Sequence, residues 1–173
     1  MTASDWIILV INAVCAIVSI FGAYNAAESY KKCKQLTDFA NLKTALDECK
    51  TINTNIRRLL TISNEALTAK KQGTNLVKEI NSCSNNIKCS ISNIKDILPF
   101  SLHDEVDKLL KTQVNGKKFN VENYIDTLIS GTALKNGKLV IDSRFDTLQS
   151  SLNEIQKFIK QKMEGIQKSE KKM

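Results

Sequence analysis

Proline is almost missing from this chain: Pro99 is the only one in 173 residues. Nothing in residues 1–98 therefore locks φ or removes a backbone donor, and a helix can run there unbroken. Glycine is scarce too, with six scattered residues. They form no phosphate-cradling loop, and neither G-x-x-x-x-G-K-[ST] nor G-x-G-x-x-G occurs. H-E-x-x-H and G-x-S-x-G are likewise missing. There is one histidine, His103. A metal site needs further ligands, and a catalytic histidine needs a positioned partner. Beside Asp104, His103 reads as the decoration of a helix start. Aromatic residues are few and are not interleaved with the basic ones, so no stacking platform or recognition helix stands out. These absences lead to an expectation of no enzyme, no cofactor, no metal, no small-molecule substrate and no nucleic acid.

The five cysteines are Cys15, Cys33, Cys49, Cys83 and Cys89. Their number is odd and no C-x-x-C occurs. They make neither a disulfide framework nor a zinc site, and they suit a reducing compartment. Cys33 sits among Lys31, Lys32 and Lys34, a setting in which a eukaryotic cell palmitoylates cysteines.

Charge is missing from one stretch altogether. Trp6 to Tyr24 reads WIILVINAVCAIVSIFGAY, nineteen residues without a charged side chain. At about 1.5 Å per residue such a helix nearly crosses a hydrocarbon core of about 30 Å. Trp6 and Tyr24 suit the two interfaces. The five residues before the span hold no Lys or Arg, as a secretory signal would, and no A-x-A cleavage site follows. The reading is a retained transmembrane helix over residues 6–27, after a short tail of residues 1–5. Within it Asn12, Cys15, Ser19, Gly22 or Ala23, and Ala26 recur at three- and four-residue steps. This stripe of small or polar side chains suits close contact with a second helix.

The net charge is +7, and residues 28–98 hold +5 of it. Lys31, Lys32 and Lys34 follow the span directly and would meet anionic headgroups. The positive-inside rule then places the N-terminus outside and the C-terminal part in the cytoplasm.

Beyond the span the apolar residues keep helical time. Leu36, Phe39, Leu42, Leu46, Cys49, Ile52, Ile56, Leu59, Ile62 and Ala66 form a narrow seam with a mean step near 3.5. Val77, Ile80, Cys83, Ile87, Ile91, Ile94 and Leu98 form a second. Gly73 lies between them, in either a tight antiparallel turn or one continuous helix. Pro99 is a firm stop. Ser101 then reads as the cap of a helix carrying Leu102, Val106, Leu109, Leu110 and Val114 on one face, ending at Asn115-Gly116. Asn120 caps a short helix that stops at Gly131. Asn136-Gly137 carries a type I′ turn signal, so a small β-hairpin is expected near 133–141. From Asp142 or Ser143 a last helix runs to about Lys168. Phe145, Leu148, Leu152, Ile155, Ile159, Met163 and Ile166 make its seam, with residues 169–173 as a frayed tail.

The expected fold is all-α: one N-terminal transmembrane helix, a long coiled-coil-like helix or hairpin over 28–98, short helices and turns over 99–141, and a C-terminal helix over 142–168. The partners expected are membrane lipid and a second copy or another helix, meeting at the span or the seams. The expected role is a membrane-anchored helical scaffold or adaptor. The rival is a small membrane-active protein of the toxin or holin kind, oligomerising through its span.

Overall fold

The computed structural model describes residues 2–68, 74–135 and 139–170. It is an all-α fold with one antiparallel hairpin. The order is α1 (Ala3–Thr68), α2 (Thr74–Ile97), α3 (His103–Leu110), β1 (Lys111–Val114), β2 (Lys117–Asn120), α4 (Val121–Ile129) and α5 (Ser143–Glu170). The chain forms two compact units, Met1–Asp38 and Phe39–Met173. The helix α1 supplies the whole regular structure of the first and the opening helix of the second.

The second unit has one core, built from the three seams together with Val106 and Leu110 of α3 and Val121, Tyr124, Ile125 and Leu128 of α4. Along α1 it buries Leu42, Ala45, Cys49, Ile52, Ile56, Leu59 and Ile62; along α2, Ile80, Cys83, Ile87, Ile91, Ile94 and Leu98. Along α5 it buries Phe145, Leu148, Leu152, Ile155 and Ile159. The seams meet because each is too apolar to stay wet and too narrow to close on itself. The first begins later than its periodicity suggests. Leu36 is 62% exposed, and Ala45 takes the core position beside a half-buried Leu46.

Three amide pairs and one ion pair fix how the helices lie. Asn93 Nδ2 donates to Glu48 Oε1 at 3.0 Å, and Asn86 Nδ2 donates to Asn55 Oδ1 at 3.4 Å. Arg58 Nη2 donates to Glu79 Oε2 at 2.8 Å. In each pair the α1 residue number rises as the α2 number falls, so α2 runs antiparallel to α1 and the continuous-helix alternative does not hold. Gly73 itself lies outside the described residues. Asn53 Nδ2 donates to Gln156 Oε1 at 2.9 Å and ties α5 to α1.

The segment after Pro99 departs from the sequence reading. A 3₁₀ turn, Phe100–Leu102, precedes α3, and no side chain caps either, so Ser101 is not a cap. The helix α3 ends at Leu110 rather than near Val114. Asn115 (φ 51°) and Gly116 (φ 75°) are both left-handed, the geometry of a type I′ turn. The hairpin therefore forms here, with Val114 opposite Lys117 and Lys111 opposite Asn120. Of the segment 133–141, Lys135 makes an isolated bridge and Leu139, Val140 and Ile141 carry no strand. Asn136-Gly137 lies outside the described residues. The helix α4 starts as read. Asn120 Oδ1 accepts from the backbone N–H of Glu122 at 2.8 Å and of Asn123 at 3.3 Å. Gly131, at φ 75°, follows its end. Asp142 caps α5, its Oδ1 accepting from the N–H of Arg144 at 3.0 Å and of Phe145 at 3.3 Å.

Candidate functional site

The first unit presents a long run of apolar surface. From Trp6 to Tyr24 every residue is exposed. Among the described residues one helix is long and apolar enough to cross a membrane, and this stretch lies in it. The Asn12, Cys15, Ser19, Gly22 and Ala23 stripe lies on it. All five are exposed, and an added Cβ at Gly22 would meet nothing within 4 Å. Ser19 Oγ donates to its own helix, to the Cys15 carbonyl at 2.8 Å. That leaves the Asn12 amide as the stripe's outward polar group.

Lys31, Lys32 and Lys34 are exposed just beyond. Lys32 Nζ lies 2.7 Å from Glu28 Oε1. The Lys32 hydrogen bond holds the Glu28 carboxyl below its usual range, and the same bond raises the Lys32 ammonium. One of the three lysines is thus largely neutralised, and Lys31 and Lys34 carry the local positive charge.

In the second unit Leu148, Leu152, Ile155 and Ile159 lie in one buried core with the α1 and α2 seams. The seams are satisfied within one chain.

The reactive side chains are not grouped for chemistry. The Cys49 thiol is pushed up to about 12, chiefly by burial, and burial raises Cys83 as well. A thiolate is the nucleophile, so both are held in their inert form. Cys15, Cys33 and Cys89 are exposed. His103 is the first residue of α3; its Nε2 sits 2.9 Å from the Leu98 carbonyl and its ring leans on Phe100. Among the described residues no group of three or more His, Cys, Asp or Glu could hold a metal ion.

One charged centre is part-buried. Lys95 Nζ on α2 reaches Asp107 Oδ1 on α3 at 2.8 Å and Glu122 Oε1 on α4 at 3.0 Å. Burial alone pulls the ammonium down; the bonds to both carboxylates outweigh it and leave it raised. The Lys95 bond also holds Asp107 low. This joins α2, α3 and α4.

The hairpin is the surface that the sequence reading missed. Thr112 and Gln113 of β1 line a groove with Asp146 and Ser150 of α5, and Lys117 and Lys118 line another with Ser143 and Arg144. Its signal was present. Asn115-Gly116 has the same turn chemistry as Asn136-Gly137, but the helical phase of Leu109, Leu110 and Val114 ran across it. Among known proteins, no family model matches the chain, and no curated sequence or solved structure gives a significant match.

Proposed function

We propose that the chain is a single-pass membrane protein whose helical unit holds a protein partner, or a second copy, at the bilayer: a scaffold or adaptor rather than an enzyme. The observation that carries this is the exposure of the whole Trp6–Tyr24 stretch, in a chain whose other long apolar seams are buried. Leaving large aliphatic side chains in water forgoes roughly 1.5–3 kcal/mol each, and a bilayer supplies the missing cover. The lysines after the span favour an external N-terminus and a cytoplasmic helical unit.

The seams of the second unit are filled from within. Association between copies therefore falls to the stripe Asn12, Cys15, Ser19, Gly22 and Ala23, where the Asn12 amide can bond across the contact.

The test is alkaline carbonate extraction of the full chain, with labelling of intact cells by an impermeant thiol reagent. Retention in the pellet and labelling at Cys89 only after permeabilisation support the reading. Release into the supernatant would sink the anchor, and labelling at Cys89 in intact cells would reverse the orientation. Cys89 is the reporter because it is exposed, whereas Cys49 is buried. The membrane-active alternative uses the same stripe; growth arrest or dye leakage on expressing residues 1–35 alone would favour it.

A further inference from the structure

The hairpin has two unlike faces. Register and alternation sort them: Lys111, Gln113, Lys118 and Asn120 fall on one, and Thr112, Val114, Lys117 and Phe119 on the other. Val114 and Lys117 flank the two-residue turn and exchange hydrogen bonds. Gln113 and Lys118 are therefore the next, non-bonded pair, the kind in which side chains stand closest. Lys111 is the diagonal neighbour of Lys118 on the same face.

This face borders a cavity of about 700 Å³, which Phe119 and Asn123 of α4 also line. The lining holds two lysines, three amides and no carboxylate. Asp107 is engaged by Lys95 at 2.8 Å, and its second oxygen lies 3.8 Å from Lys111. Among the described residues no carboxylate pairs with Lys118. Asn120 Oδ1 is spent on the α4 cap, so its Nδ2 is the group left to bond a ligand. Lysines on a strand also deter pairing with another chain, but that role is served by a lysine on either face. It does not ask for two on the face that carries the amides.

We propose that this cavity binds the phosphate group of a small soluble molecule of the sugar phosphate class. Lys111 and Lys118 take the phosphate, and the amides of Gln113, Asn120 and Asn123 take the hydroxyls. A phosphate carries roughly −1.5 to −2 at pH 7 and so matches two ammonium groups, where a single carboxylate would leave one unmatched. Amides both donate and accept, as hydroxyls do. Phe119 is half-buried with its ring 5.6 Å from Tyr124, which gives a nucleobase no free face to stack on. Ligand sites of this kind run to roughly 300–1,000 Å³, with a few polar groups setting specificity. The cavity belongs to the second unit and uses none of the span's residues.

The test is calorimetric titration of the full chain in phosphatidylcholine nanodiscs with glucose 6-phosphate, inorganic phosphate and glucose. Glucose 6-phosphate should bind, inorganic phosphate should bind more weakly, and glucose should give no heat of binding. Lys111→Gln and Lys118→Gln should each lower the affinity for both phosphates at least about tenfold. Gln113→Ala should weaken glucose 6-phosphate and leave inorganic phosphate unchanged. Lys117→Gln, on the opposite face, should change neither. All four side chains are exposed, so each variant should keep the parent's melting curve. Binding of neither phosphate, or equal binding of glucose, would overturn the proposal. So would equal losses from Lys117→Gln and Lys118→Gln, the mark of general surface charge. Vesicles bearing a phosphoinositide that capture the discs through Lys118, while neither soluble phosphate binds, would overturn it as well. A chain that fails to enter the discs counts against the anchor alone, and the titration is then run on the free chain.

Discussion

The two units answer the same question in opposite ways. Both are built on helices with long apolar runs. The second unit narrows its runs to seams and closes them on one another, so that Leu42, Ile80 and Leu148 end in one core. The first has apolar side chains on all sides of a single helix, and no partner within the unit can cover them. The difference lies in period rather than in hydrophobicity. A stripe every 3.5 residues buries against two neighbours; a helix that is apolar all round is buried in a large core or in lipid.

The sharpest way to break this comparison is a charge in the second unit's core. Leu152 is 3% exposed, in the middle of α5. Leu152→Asp should cost about 4 kcal/mol or more and abolish cooperative unfolding of the full chain in detergent, followed by circular dichroism. An unchanged melt would mean that α5 does not pack there. Next come paired truncations. Phe145→Ala should cost about 3–5 kcal/mol, because Phe145 is fully buried. Ile17→Ala should leave the melt within about 0.5 kcal/mol, because Ile17 is exposed in the first unit. Equal losses would erase the distinction between the units.

The seams were legible because burial follows period: the Ile80–Leu98 and Phe145–Ile159 positions were read directly. Leu36 was misread because periodicity cannot report where a second helix stops covering the first. Asn120 was readable as a cap, since it needs only its own side chain and the next two or three amides, whereas Asp142 was read only as one of two starts for the last helix. The β1–β2 hairpin was not, because Val114 satisfies a helical phase and a strand alternation equally well, and the left-handed Asn115-Gly116 decided between them. For the candidate site, the span and its stripe are visible in sequence. The groove that Lys117 and Lys118 share with Ser143 and Arg144 was not, because it joins segments more than twenty residues apart.

Smaller effects sharpen the picture within the second unit. Asn120→Ala removes the cap of α4 and should cost about 1 kcal/mol in the same melt; no change would mean that the cap is redundant. The last concerns pH. Asp107 is held below its ordinary value of 3.8, chiefly by its bond to Lys95. A carboxylate lowered in the folded state adds stability above its unfolded value and loses it as pH falls through the folded one. Its exposure and solvent screening keep the effect below about 1 kcal/mol. The midpoint should therefore drop on acidification from about pH 5 downward. Asp107→Asn should flatten part of that drop, and an identical profile would show that Lys95 leans on Glu122 alone.

The amide pairs between helices have a consequence beyond holding them. A seam rich in isoleucine is forgiving: slid by one turn, Ile52 still meets something greasy. The rungs Asn93–Glu48, Asn86–Asn55 and Asn53–Gln156 are not forgiving, because a slide strands each half against a mismatched neighbour. They add little to the depth of the native well and much to its uniqueness, working as a vernier that lets one alignment of the three long helices outcompete its near copies.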